Sequence, residues 1–183
     1  MALRPEPTPY ITTWTAKDGS RLVLRPIRPE DEPLMVQFHG SLSERTVALR
    51  YFQALKLSTR VAHERLTRIC FIDYDREIVL VADREDPGTG SHEILGVGRL
   101  SRVRRTDEAE FALLISDRFQ QQGLGTALLA QLLQIGRQEQ LSRIFGLILP
   151  ENLAMRHVCE KLGFRMALDI ENLVVEAVID LVP

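Results

Sequence analysis

RFQQQGLGTALL, Arg118 to Leu129, sets Gly123 and Gly125 one residue apart at the mouth of a leucine-rich run. Glycine costs conformational entropy and contributes no side-chain packing, so Gly-Leu-Gly before a good helix former says that bare backbone is wanted there. Upstream, AEFALLISD (109–117) is too continuously apolar for a half-exposed strand. Downstream, residues 122–137 carry leucines at helical spacing, and RIFGLIL (143–149) reads as a second buried strand. Strand, helix and strand in that order predict a right-handed crossover joining two parallel strands. The glycines then lie where a strand's carboxyl end meets a helix N-terminus, and unpaired N–H groups with the helix dipole favour an anion at that point.

The chain has 183 residues, 45% hydrophobic and 26% charged, which suits one soluble domain. Lysine plus arginine total 23 against 25 aspartate plus glutamate, so no basic excess points to nucleic acid. No apolar run reaches the ~20 residues of a membrane span, and MALRPEPTPY has no apolar leader core, so a cytoplasmic protein with no membrane partner is expected. Cys70 and Cys159 stand alone, without zinc-ligand spacing, and no disulfide or metal is expected.

Pro5, Pro7 and Pro9 make residues 1–12 an extended arm, leaving 13–183 as the domain. Asp18-Gly19 signals a turn, and RLVLRPI (21–27) a short strand ended by Pro26 and Pro29. Pro29-Glu30-Asp31-Glu32 opens a helix with acids in its first turn and Leu34, Met35 and Phe38 on its apolar face. Ser43 caps a second helix, and 58–70 reads as a third. Strands follow at 77–83 and 94–103, split by DPGTGSH.

A Walker loop would need lysine after Gly125, and the dinucleotide fingerprint glycine at Leu128; both fail. What remains, Gln120-x-x-Gly123-x-Gly125, is similar to the Gln/Arg-x-x-Gly-x-Gly/Ala signature by which the GNAT superfamily of acyltransferases holds the pyrophosphate of acetyl-CoA; by itself it also fits a plain tight turn. ENLAMRHVCEKLGFR (151–165) resembles the GNAT segment that runs from an asparagine through a short helix to Gly-Phe. Asn152 is that asparagine, and it is equally suited to cap the helix; Gly163 reads as the left-handed C-cap before a strand begun by Phe164. The resemblance implies a mixed α/β GNAT fold, with a mostly antiparallel twisted sheet, one splayed parallel strand pair and flanking helices. It also implies acetyl-CoA as co-substrate, held by Gln120, Gln121, Gln122, Gly123, Leu124, Gly125 and Thr126, by backbone at Leu113, Leu114 and Ile115, and by Asn152.

A lysine amine, with a reference pKa near ~10.4, must lose a proton before it can attack a thioester, which calls for a carboxylate. Glu110 interrupts an apolar strand, shares a face with Ala112 and Leu114 by strand alternation, and stands where GNAT enzymes commonly carry a glutamate base. A solvated or salt-bridged acid is the other reading of Glu110, and Glu108, on the same face, is the substitute base. Family members often have a tyrosine seven residues after the asparagine to protonate the leaving thiolate. Here that position is Cys159, which reads as packing.

DGSRLVLRPIRPEDEPLMVQFHGSLSERTVALRYF (18–52), followed by FIDYDREIVLVAD, resembles the acetyltransferase domain of bacterial Pat-type protein lysine acetyltransferases. That resemblance covers about residues 18–166 and implies a protein partner bearing an acceptor lysine, such as the active-site lysine of an AMP-forming acyl-CoA synthetase. A GNAT enzyme for small amines or protein N-termini, and a silent acyl-CoA-binding module, are the alternatives.

Overall fold

The computed structural model describes residues 10–181. Its strands are β1 (Thr12–Thr15), β2 (Arg21–Pro26), β3 (Glu77–Glu85), β4 (His92–Arg102), β5 (Glu108–Ile115), β6 (Arg143–Ile148), β7 (Arg165–Asp169) and β8 (Val174–Asp180). Its helices are α1 (Glu32–Gly40), α2 (Glu44–Tyr51), α3 (Leu57–Arg60), α4 (His63–Cys70), α5 (Leu124–Gln138) and α6 (Leu153–Lys161). The strands form one sheet in the order β1-β2-β3-β4-β5-β6-β8-β7, and only β5 with β6 is parallel. This is the expected mixed α/β architecture, with the crossover through α5 joining the parallel pair.

Helix α5 covers one face of the sheet. Leu124, Leu128, Leu129 and Leu132 are fully buried there, and β4 meets them with Gly96 and Gly98. A Cβ at Gly98 would stand 3.1 Å from Leu113 Cδ2 and from Leu132 Cδ1, so the missing side chain is what lets helix and strand approach. Helices α1 and α4 bury Met35, Phe38, Leu66 and Cys70 against the opposite face, beside Val79, Val81 and Leu114. That second layer stops at β5. On β6 the residues facing the same way are less covered, with Leu147 42% exposed, so RIFGLIL is buried on one face only.

The Arg25–Asp31 run ties the first layer to the sheet. The Arg25 guanidinium donates to both Asp31 carboxylate oxygens at 2.7 Å, and its Nε donates to Asp83 on β3 at 3.0 Å. All three side chains are buried. Asp31 also accepts from the Arg28 N–H at 2.8 Å, which fixes the turn from β2 into α1. Bidentate geometry with both partners buried makes this fork a fixed hinge point, costly to break from either side.

The remaining elements differ from expectation in three places. The single helix expected over 58–70 is two, because Ala62 is extended (φ −56°, ψ 128°) and the Arg60 side chain turns inward to the carbonyl oxygens of His39 (2.7 Å) and Leu55 (3.2 Å). Strands β1 and β8 had no expectation attached. Each pairs with an inner neighbour, β1 with β2 throughout and β8 with β6 from Val175 to Asp180, and their β-branched runs TTWT and VVEAVID carry a local strand pattern of their own. The arm expected over 1–12 falls mostly outside the described residues. Of its described part, Tyr10 is buried and Thr12 opens β1.

Asp31→Ala leaves a buried guanidinium with half its partners, and should cost about 3 kcal/mol or more of unfolding free energy in denaturant titration.

Candidate active site

Strand β5 pairs with β4 from Arg102↔Ala109 to Gly96↔Ile115, but with β6 only over Glu108↔Arg143, Ala109↔Ile144 and Glu110↔Phe145. Beyond that point β6 stays with β8 as far as Ile148↔Val175, and the parallel pair opens into a cleft. The backbone groups that face the cleft follow from alternation. Ser116 N–H donates to Leu95 O, and Glu108 O accepts from Val103 N–H, both at 2.9 Å, so even-numbered residues of β5 address β4. Leu113 and Ile115 therefore turn their N–H and C=O groups toward the cleft. Leu114 turns its backbone to β4 and its side chain into the core under α1 and α4.

At the end of β5 the chain turns through Gln120, Gln121 and Gln122 into α5. Gln121 and Gly123 both have positive φ (59° and 97°), the geometry of a tight strand-to-helix turn. Since α5 begins at Leu124, the N–H groups of Leu124, Gly125 and Thr126 have no intrahelical acceptor and point out of the helix start. Gly125 is not forced by local packing: a Cβ there would meet only Ile115 Cγ1 and Val158 Cγ2, at 3.8 Å each. Its absent side chain keeps the first turn of α5 bare beside the cleft, a donor set that fits a diphosphate.

Two side chains of this turn serve the scaffold. Gln120 Nε2 donates to Thr46 Oγ1 at 2.9 Å and to Ile115 O at 3.2 Å, and Gln122 Nε2 donates to Arg118 O at 2.9 Å. Asp117, which the sequence reading left out, accepts from Ser43 N–H (2.9 Å), Ser43 Oγ (2.6 Å) and Thr46 Oγ1 (2.8 Å). Burial opposes charge on Asp117, but these hydrogen bonds outweigh it and hold the carboxyl below its ordinary value of 3.8. Ser43 still caps α2, accepting from Thr46 N–H at 3.2 Å. The result is a clasp between α2 and the loop. Only a contact between residues some seventy positions apart discloses it.

Asn152 accepts from Met155 N–H at 3.1 Å and so caps α6. Gly163, φ 85°, is the left-handed C-cap expected before β7. Cys159 is 0% exposed, and burial, helped by the Glu160 charge, pushes its thiol up to about 12. A proton so firmly held in the core fits a packing role.

The two acids of β5 are in different circumstances. Glu108 pairs with Arg143 at 3.3 Å, and Arg143 in turn donates to Asp180 at 3.2 Å. Glu110 is exposed at the last paired position before the cleft, and its carboxylate makes no hydrogen bond or ion pair among the described residues. It lies on the face of β5 against which α2 packs, where its charge acts on the half-buried Arg50. No group of His, Cys, Asp and Glu able to hold a metal occurs among the described residues, and no helix there is long and apolar enough to cross a membrane.

A parallel pair opening beside a bare helix N-terminus is the architecture of the GNAT acetyltransferases. Residues 21–165 match the model of the acetyltransferase (GNAT) domain family, and the chain belongs to that family of acetyl-CoA-dependent N-acetyltransferases. It is similar to an acetyltransferase of Pseudomonas aeruginosa, 30% identical over 148 residues that span 80% of this chain and 76% of that one. It is also similar to the crystal structure of the GNAT domain of S. lividans PAT, at a TM-score of 0.84 and 25% identity, covering 95% of this chain and 98% of that one. Mycobacterium smegmatis RimJ, solved in complex with CoA-disulfide, shares the fold at a TM-score of 0.73 and 18% identity, with 93% and 86% covered.

Asp117→Asn should lower the thermal midpoint at neutral pH. A depressed carboxyl stabilises the fold above its unfolded value of 3.8, and that contribution is lost as pH falls through the lower folded value. The gap between variant and wild-type midpoints should therefore close in acid. Cys159→Ala should keep most turnover and lose on the order of 1 kcal/mol of stability.

Proposed function

We propose that the chain transfers acetyl from acetyl-CoA to the side-chain amine of a protein lysine, with Glu110 as the general base. One observation carries the reading: Glu110 is the exposed, unpaired carboxylate at the position where β5 and β6 part. Its rival Glu108 is committed to Arg143.

In this reading the N–H groups at the start of α5, with the turn from Gln120 to Thr126, take the pyrophosphate. The cleft-facing backbone of Leu113 and Ile115 pairs with the pantetheine arm, and Asn152 borders it while capping α6. Acetyl-CoA supplies an activated thioester, whose carbonyl oxygen a cleft-facing N–H of β5 polarises. Glu110, directly or through one water, takes a proton from the acceptor ammonium. The freed nitrogen lone pair forms the N–C bond, the C–S bond breaks with its electrons on sulfur, and the thiolate takes a proton from water, which regains one from the second N–H shed by the acylated nitrogen. The fold shared with the CoA-bound RimJ supports this placement of the cofactor.

A protein acceptor is supported by the likeness to the S. lividans PAT domain and by the uncovered sheet next to Glu110. There Phe145, Leu147 and Val178 share the face of Glu110 and lie outside the helical layer, leaving room for a polypeptide. An active-site lysine of an acyl-CoA synthetase is the first acceptor to test.

Glu110→Gln keeps shape and removes the base, so acetyl-CoA affinity should persist while transfer falls by roughly 10²–10⁴-fold and the acidic limb of the pH–rate profile disappears. Glu108→Gln should remain near wild type. The reverse pattern would move the base to Glu108, and no effect from either change would leave positioning as the main source of rate. Gly125→Val, which has space to fold, should weaken acetyl-CoA binding in calorimetry; unchanged affinity would remove the loop from the cofactor site.

A further inference from the structure

Beside the cleft, under α1, α2 and α4, lies a pocket that the acetyl-transfer reading does not use. It is a cavity of about 60 Å³ whose floor includes Ala112 and Leu114 of β5, the side chains that follow Glu110 along the same face. Three arginines from three elements line it: Arg50 of α2, Arg65 of α4 and Arg99 of β4. The Arg50 and Arg65 guanidinium carbons lie 5.0 and 5.2 Å from the centre of the Tyr51 ring, which holds both against an aromatic wall.

These cations are short of partners. Arg99 pairs with Glu77, but its Nε is buried without an acceptor, as is the Nε of Arg65. Neither Arg50 nor Arg65 has an acid within ion-pair distance among the described residues; Glu110 reaches Arg50 only through its field. His39, 1% exposed, also lines the pocket with its Nδ1 unpartnered. Burial, then the charges of Arg60 and Arg65, pull its pKa down to about 4, so it stays neutral and offers one donor or acceptor. Buried donors left open in one place, against two carboxylates nearby, are a site missing its anion.

Size and lining narrow the anion further. Val97, Ile69 and Leu114 give the cavity an apolar stem, and its volume admits only a short chain. The geometry points to a carboxylate-binding subsite, taking a carboxylate on a stem of a few methylenes, held by Arg50 and Arg65 beside the reacting centre. It rests on the proposed transfer reading for its role, and it selects the substrate. The carboxylate belongs either to the acceptor, as an acidic side chain next to the reactive amine, or to the acyl donor, as a dicarboxylic acyl group. Both present the same chemistry to the arginines.

The test compares kcat/KM for acid-bearing reactants and neutral counterparts in wild type, Arg50→Gln/Arg65→Gln and Arg65→Lys. One arm uses acetyl-CoA with lysine peptides carrying glutamate or glutamine beside the lysine; the other uses succinyl-CoA or butyryl-CoA with the glutamine peptide. Calorimetric titration with succinate runs alongside on all three proteins. Expected is a preference of about tenfold or more for the carboxylate in one arm, which also identifies its source, falling toward unity in the double variant and partly kept in Arg65→Lys. No preference in either arm, or one that survives the double substitution in a protein with wild-type acetyl-CoA affinity, overturns the subsite. If no lysine peptide is acylated at all, the acceptor reading fails by itself, and succinate then decides: binding lost in the double variant upholds the subsite, and absence of binding to wild type overturns it.

Discussion

Everything at the candidate site depends on one interruption, the end of β5–β6 pairing at Glu110 and Phe145. Each strand of the pair has an antiparallel partner that it keeps to the end, β4 for β5 and β8 for β6, and the parallel seam is where the two halves of the sheet part. The seam yields because parallel pairing is the weaker contact and here spans only three residue pairs. Yielding there exposes two lengths of backbone polar groups beside a helix N-terminus. In most proteins such groups would be covered or paired; here they stay open beside the start of α5.

The rest of the molecule keeps that opening in shape. Gly96 and Gly98 bring α5 close to β4, so the helix start stays against the end of β5. Asp117 and Gln120 lock the turn to α2 through Ser43 and Thr46, and thereby fix the distance between the helical layer and the cleft. On the far side, the buried fork of Arg25 on Asp31 and Asp83 anchors the beginning of α1 to β2 and β3. The two layers end differently: α5 spans the parallel seam, whereas α1, α2 and α4 stop at β5 and leave β6, β8 and β7 open on the face of Glu110.

Burial also sorts the ionisable side chains. Glu108 and Glu110 are two residues apart on one strand face, yet Arg143 of the neighbouring strand pairs with the first and, among the described residues, no cation pairs with the second. Cys159 and Tyr51 divide along similar lines. The thiol is sealed into the core and keeps its proton, while the aromatic ring stands at a cavity wall between two guanidinium groups.

How much of this was legible in the chain varies with the range of the interaction that decides it. The glycines before α5, the Ser43 cap, the Asp18-Gly19 turn, the Gly163 C-cap and the apolar runs of β5 and α5 are local signals, set by backbone entropy, capping and periodicity, and they specified the crossover and the loop on it. The break between α3 and α4 and the exposed face of β6 depend on partners far away in sequence, so no window of the chain contained them, whereas the β-branched runs TTWT and VVEAVID of β1 and β8 are local strand signals. Glu110 could be picked out as an acid in an apolar strand, but its freedom from Arg143 could not, nor could the Asp117 clasp or the convergence of Arg50, Arg65 and Arg99. Residue type and spacing determine which elements form and where an anion can sit. Which carboxylate is left open, and which cations share a pocket, was decided only when the sheet brought β4, β5, α2 and α4 together, because Coulomb and hydrogen-bond energies depend on distance in space and not along the chain.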